Sequence, residues 1–206
     1  MSSKQPDITL YFLNASRAIR IAWLLEELDI SYKLVTSPRA ANRLAPPEFK
    51  AKIPTRLGSS PVIQDRDLVI QESGAIIEYL IESYDSTSQL LPQETYTRAS
   101  IREWIQASEG TFIINAIPII MAHIGMPKEA AQYISGLEAA IAPRGQFIIG
   151  TGLTAADIII GFSIKCIFAI KLETESQDWP LISKWLANIK ERKAYRTAVE
   201  KTGYSI

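Results

Sequence analysis

Glu72 and Ser73 stand side by side where a helical period resumes after a short β-rich run. A helix start presents N–H groups that no earlier carbonyl satisfies, together with the positive end of the helix dipole. An anion is favoured there. Ser73 adds a hydroxyl donor for a carboxylate, and Glu72 adds a negative charge for an amine. The pair suits the zwitterionic end of an amino acid, and Ser73 serves equally as an ordinary N-cap. Upstream, Ser60-Pro61 opens a strand, and Asn14 and Ser16 put two polar side chains between the first strand and the first helix. Thr154 and Asp157 are spaced as a capping box and read as structural.

The elements that must hold these residues follow from periodicity. Residues 8–13 form a β-rich run after Pro6-Asp7, and residues 16–28 carry Ala18, Ile21, Ala22, Leu25 and Leu28 on one helical face. Ser16 falls at the N-cap position of that helix. Residues 31–35 give a second strand, and 38–56, with Pro46, Pro47 and Pro54, a loop with room for one short helix. Residues 61–64 and 68–70 flank Asp65-Arg66-Asp67 as a hairpin, and 72–84 return to helical period. The order βαβ, then ββα, predicts a thin α/β domain with a mixed sheet over residues 1–85. Residues 86–94 read as a linker, and 95–206 as an all-helical second domain.

Composition narrows the function classes. Lys+Arg and Asp+Glu both number 22 in 206 residues, so the formal net charge is zero. Such a chain has no long-range pull on nucleic acid or acidic membranes. Cys166 and His123 are the only residues of their types, which excludes an internal disulfide, a CxxC redox pair and a cysteine- or histidine-rich metal site. Cys166 lies in an apolar helical stretch and reads as a buried small hydrophobe. The start lacks the apolar core of a signal peptide, and the apolar run at 153–170 is interrupted by Asp157 and Lys165, so a cytoplasmic protein with no membrane span is expected.

Several strings, in order along nearly the whole chain, resemble the cytosolic glutathione S-transferases, fungal members above all. Residues 16–28 resemble their first helix, and Leu44-Ala-Pro-Pro-Glu-Phe49 the loop before the third strand. Ser60-Pro-Val-Ile-Gln-Asp65, followed by residues 70–80, resembles the glutathione-binding core. Residues 101–110 are similar to the first helix of the second domain, Leu153-Thr-Ala-Ala-Asp-Ile158 to the cap of its central helix, and 185–195 to the C-terminal helix pair. The resemblance implies a thioredoxin-like N-terminal domain followed by an all-α domain, with glutathione as substrate or true cofactor. It implies that Glu72 and Ser73 hold the γ-glutamyl end, and that Pro61 is cis, so that the Ser60 backbone pairs with the cysteinyl unit like an added strand. It also implies a homodimer, with Glu78, Tyr79 and Trp104 near the seam.

Three departures from the family matter. Many relatives have a lysine after the glycine preceding the third strand, but Gly58 is followed by Ser59, leaving Arg43 and Lys52 as cations for the glycyl carboxylate. Family members lower the thiol pKa, ordinarily about 8.5, with a Ser or Tyr after the first strand; two units of lowering is worth roughly 2.7 kcal/mol. Here Ala15 falls at the serine position of the theta and phi classes. Ser16 is then the first candidate donor and Asn14 the second, with Tyr11 too early in the strand. The chain is also shorter than usual for the family between Ile114 and Phe147, where relatives build much of the second-substrate wall. Phe112, Ile113, Ile119, Met121 and His123 offer an apolar wall, or simply a helical core.

Three functions remain open at this stage. A transferase would direct the thiolate at an apolar electrophile. An isomerase of a biosynthetic pathway would add the same thiolate reversibly to a conjugated alkene. A binding module would keep the fold without chemistry, and the presence of Pro61, Glu72 and Ser73 argues against it.

Overall fold

The computed structural model describes residues 6–41, 44–55, 58–114, 137–139, 141, 146–169 and 178–205. They divide into two compact units. One takes the residues up to Tyr84 together with those from Arg192 onward; the other runs from Asp85 to Glu191.

The first unit is built on a four-stranded sheet in the order β2-β1-β3-β4. The strands are β1 (Ile8–Leu13), β2 (Tyr32–Ser37), β3 (Val62–Asp65) and β4 (Leu68–Gln71). β1 pairs parallel with β2 through the crossover helix α1 (Ala18–Glu27), and antiparallel with β3. β3 turns into β4 through Arg66-Asp67, with Arg66 at positive φ as tight hairpins require. β1 is central, so both its faces are buried. Ile8, Leu10 and Phe12 face one way, and Tyr11 and Leu13 join Phe49, Ile53 and Val62 on the other. Phe49 comes from the single turn α2 (Pro47–Lys50), the short helix expected in the proline-rich loop. α1 and α3 (Ser73–Tyr84) complete the α/β arrangement.

The second unit contains α4 (Thr95–Ala107), a π-helical turn at Ser108–Ile113, α5 (Ala155–Ala169) and α6 (Pro180–Glu191). Its described residues form no strand. Glu94 caps α4 by accepting from Tyr96 N at 2.9 Å and Thr97 N at 2.7 Å, and these bonds hold its carboxyl below the usual range. α5 is apolar almost all round and buried along most of its length, as a central core helix must be. The Thr154–Asp157 box caps it, with Thr154 N donating to Asp157 Oδ2 at 2.9 Å. Asp157 also accepts from Ile148 N at 3.0 Å and Trp185 Nε1 at 2.9 Å. Burial pushes its carboxyl up, and these donors oppose the rise. Pro180 opens α6, and Glu138 accepts from Leu181 N and Ile182 N at 2.8 and 2.9 Å, so the first turn of that helix is satisfied by a distant carboxylate.

Three expectations are corrected. Residues 86–94, expected as a linker, group with the second unit: Asp85 accepts from Thr87 N and Leu90 N, and Leu90 and Leu91 are buried there. The last helix, α7 (Lys193–Thr202), belongs with the first unit instead of the helical one. It packs on α1 through a T-shaped Trp23–Tyr195 contact at 5.2 Å, and Arg192 grips Glu27 with two bonds of 2.6 and 2.8 Å. Cys166 is only half-buried. Among the described residues, no helix is long and apolar enough to cross a membrane.

Candidate functional site

The strand registers bring most of the candidate residues to one end of the first unit. Val62 pairs with both Tyr11 and Gln71, so Pro61, Glu72 and the chain leaving β1 all lie just beyond the last rungs of the same ladder. The Ser60–Pro61 bond is cis. Proline has no N–H to extend the ladder, and the Ser60 side chain continues it instead. Its Oγ donates to Tyr11 O at 2.9 Å and accepts from Leu13 N at 3.0 Å.

Glu72 and Ser73 play different parts. Glu72 is exposed with φ of 72°, a left-handed conformation uncommon for a residue with a side chain. Such a conformation costs on the order of 1–2 kcal/mol and points to a positional demand. Its carbonyl accepts the first bond of α3, from Ile76 N at 2.9 Å. Ser73 is 3% exposed, and its Oγ accepts from Arg20 Nη1 at 3.1 Å. Arg20 is itself 1% exposed on α1. Arginine can only donate, so the Ser73 oxygen receives this bond. The arrangement sets a fully buried positive charge beneath the N-terminus of α3. Sequence reading uses Arg20 only as an alignment mark. A basic residue among apolar ones on that helix is the signal in the sequence that could have singled it out.

The loop between β1 and α1 is held from three directions. Ala15 has φ of 50°. Arg39 donates from Nε to Asn14 O at 3.0 Å and from Nη2 to Ala15 O at 2.9 Å, a clasp that nothing in the local sequence announces. Asn14 Oδ1 accepts from Ala15 N at 2.8 Å and Ser205 N at 3.1 Å. Ser16 is buried; its hydroxyl donates to Leu13 O at 2.6 Å and accepts from Ala18 N at 3.2 Å. Arg17, not Ser16, is the residue flanking the first helical position, yet Ser16 still supplies the capping oxygen. Its single O–H is committed to a carbonyl. Tyr11 OH donates to Gln64 Oε1 at 3.3 Å.

The remaining candidates are less tightly placed. Lys52 is exposed in the turn after α2, beside Ile53, which packs with Leu13 and Val62. Phe112 is buried in the second unit, tilted against Trp104 with ring centres 6.0 Å apart. Ile113 is buried there as well. Arg43, Ile119, Met121 and His123 lie outside the described residues. A cleft of about 620 Å³ lies between the end of α1 and the start of α7, lined by Glu26, Glu27, Asp29, Arg192 and Lys193 among others, and it shares no residue with the site above.

Comparison with known proteins agrees with this fold. The glutathione S-transferase N-terminal domain family matches residues 6–82 and the C-terminal domain family matches residues 126–193. Glutathione S-transferase 1 of Saccharomyces cerevisiae is 30% identical over 95% of this chain and 95% of its own length. A crystal structure of a glutathione S-transferase from Actinobacillus pleuropneumoniae superimposes with a TM-score of 0.84 at 31% identity, covering 96% of this chain and 94% of that one. A Phanerochaete chrysosporium glutathione transferase solved with oxidized glutathione shares the fold, with a TM-score of 0.75 at 23% identity over 97% of this chain and 96% of that one. A thioredoxin-like α/β domain together with a helical domain is the fold of the glutathione transferases. The chain belongs to the glutathione S-transferase family, with fungal proteins among its relatives.

Proposed function

We propose that this protein binds glutathione at the open end of the β3–β4 hairpin and activates its thiol for attack on an apolar electrophile. The observation that carries this reading is the buried Arg20–Ser73 pair at the start of α3. A buried cation, a serine hydroxyl and the first N–H groups of a helix converge where a carboxylate would sit. The γ-glutamyl carboxylate goes there, and Glu72 takes the amine. The Ser60 N–H and C=O, ahead of cis Pro61, pair with the cysteinyl unit. Lys52, or Arg43, takes the glycyl carboxylate.

For the thiol we favour Asn14 over Ser16. The Ser16 proton is already given to Leu13 O, whereas the Asn14 Oδ1 is occupied by two backbone donors and its NH₂ is the donating half. A donor there stabilises the thiolate, which then forms a carbon–sulfur bond as the electron pair passes to the electrophile's leaving group or conjugated system. Phe112 and His123 would contribute to the wall for that second substrate. We further propose a cytoplasmic homodimer; a monomeric mass in sedimentation at micromolar concentration would contradict the dimer.

The test combines binding with product analysis. Calorimetry should show glutathione binding that Ser73→Ala with Glu72→Gln weakens severely; wild-type affinity in that double variant would overturn the site. Incubation with unsaturated carbonyl compounds should consume thiol stoichiometrically and yield a thioether. Geometric isomers formed with thiol unchanged would instead establish isomerisation, with glutathione as cofactor. Firm binding without turnover would establish a binding module.

A further inference from the structure

Asn14 is held by a residue 191 positions away. After α7, Gly203 takes φ of 62°, the left-handed conformation that ends many helices, and the chain turns back. Tyr204 N donates to Val199 O at 3.3 Å, and Tyr204 is buried. The next residue, Ser205, donates its backbone N–H to Asn14 Oδ1 at 3.1 Å, and its Oγ accepts from Asn14 Nδ2 at 3.5 Å. Ala15 N is the second donor to the same oxygen, at 2.8 Å.

These contacts decide the orientation of the amide. Two backbone N–H groups face one terminal atom of Asn14, and only the oxygen can accept them; the nitrogen is thereby the other terminal atom, and one of its two N–H groups goes to Ser205 Oγ. Ala15 N alone is a contact within the loop and would leave the side chain free to turn about its own chain. The second donor, from a different part of the fold, closes that freedom.

We infer that Ser205 is a positioning residue for the thiol site: its backbone N–H fixes the Asn14 carboxamide so that the NH₂ is presented to the glutathione sulfur. This rests on the proposed binding of glutathione with Asn14 as its thiol donor. α7 carries the contact, because Trp23–Tyr195 and Arg192–Glu27 anchor that helix on α1. The far end of the chain therefore participates in setting the reactivity of a group bound at its beginning.

The experiment is an ultraviolet titration of the thiol of glutathione bound to the full-length protein, with kcat and KM measured alongside. Ser205→Pro removes the N–H; Ser205→Ala keeps it. Ser205→Pro should raise the bound-thiol pKa and lower kcat at neutral pH roughly three- to tenfold, the size expected of one hydrogen bond, with little change in KM for glutathione. Ser205→Ala should shift the pKa less. In the Asn14→Ala background, Ser205→Pro should add nothing, because the two act through one group. A Ser205→Pro protein with the wild-type thiol pKa, where Asn14→Ala raises it, would overturn the inference and leave the site reading intact. A Ser205→Pro effect that persists in the Asn14→Ala background would overturn it too. Absence of glutathione binding to the wild-type protein would overturn the site reading itself.

Discussion

Asn14 and Ser16 are two residues apart and equally polar, yet their hydrogen bonds give them opposite uses. Ser16 has spent its proton on Leu13 O and its lone pair on Ala18 N. Ser16→Ala should therefore cost stability as a lost cap does, about 0.5–2 kcal/mol, and leave the bound-thiol pKa unchanged. A raised thiol pKa in that variant would restore Ser16 as the donor. Asn14→Asp is the sharper probe of its neighbour. The carboxylate still accepts from Ala15 N and Ser205 N but has no proton to give and repels a thiolate. It should raise the thiol pKa further than Asn14→Ala does, as the same titration would show. Arg20→Leu removes the donor beneath Ser73, and a hydrogen bond to a charged group is worth about 1.5–3 kcal/mol. Calorimetry should show glutathione affinity falling roughly ten- to a hundredfold, and unchanged affinity would reduce Arg20 to a core residue. The places of Glu72 and Ser73 at a helix start and of Pro61 at a strand start were legible in the sequence because both are local events. The Arg20–Ser73 bond spans 53 positions and the Asn14–Ser205 bond 191, and no local pattern encodes either.

Between elements, two buried carboxylates tie the structure together in different ways. Asp65, at the end of β3, accepts from Tyr79 OH at 2.8 Å and from Tyr84 OH, both on α3, and from Asp7 N at 3.4 Å. Burial alone would raise its carboxyl, but those donors and Arg66 outweigh it and hold the group below the usual value. A carboxylate whose folded pKa is depressed adds stability that is fully present above its unfolded value, near 4. That stability is lost as pH falls through the folded value. The melting temperature of Asp65→Asn should therefore trail the wild type at neutral pH, and the gap should close below about pH 4; a pH-independent gap would refute the assignment. Asp157 is the joint of the helical unit, receiving Ile148 N, Thr154 N and Trp185 Nε1. Asp157→Ala would strand these donors, and each buried group left unsatisfied costs about 1–3 kcal/mol, a loss that denaturant unfolding would measure. The Thr-x-x-Asp spacing made the cap readable from sequence. The tryptophan that shares the carboxylate, 28 positions on, was not, since only packing brings α6 to α5.

At the scale of the molecule, sequence patterns ordered the elements correctly and misassigned one of them. α7 has the same amphipathic period as the helices before it, with Tyr195, Ala198 and Thr202 on its buried face, so nothing in its own residues says which core that face joins. The structure gives it to the α/β unit, where it lies on α1. A chain ending at Glu191 should therefore lose more than a terminal helix. It would uncover Trp23 and release Glu27 from Arg192, and it should fail to be retained on immobilised glutathione, whereas firm retention would show that the α/β unit is complete without α7. The same feature bears on how the protein is made. The nascent chain leaves the ribosome at about 5–20 residues per second, and the α/β unit must wait through the synthesis of the whole helical unit for its last piece. Its first 84 residues are exposed for that interval without the helix that covers α1. The proposed thiol site would be complete only once α7 has been made, so a product that stops short of that helix would lack it.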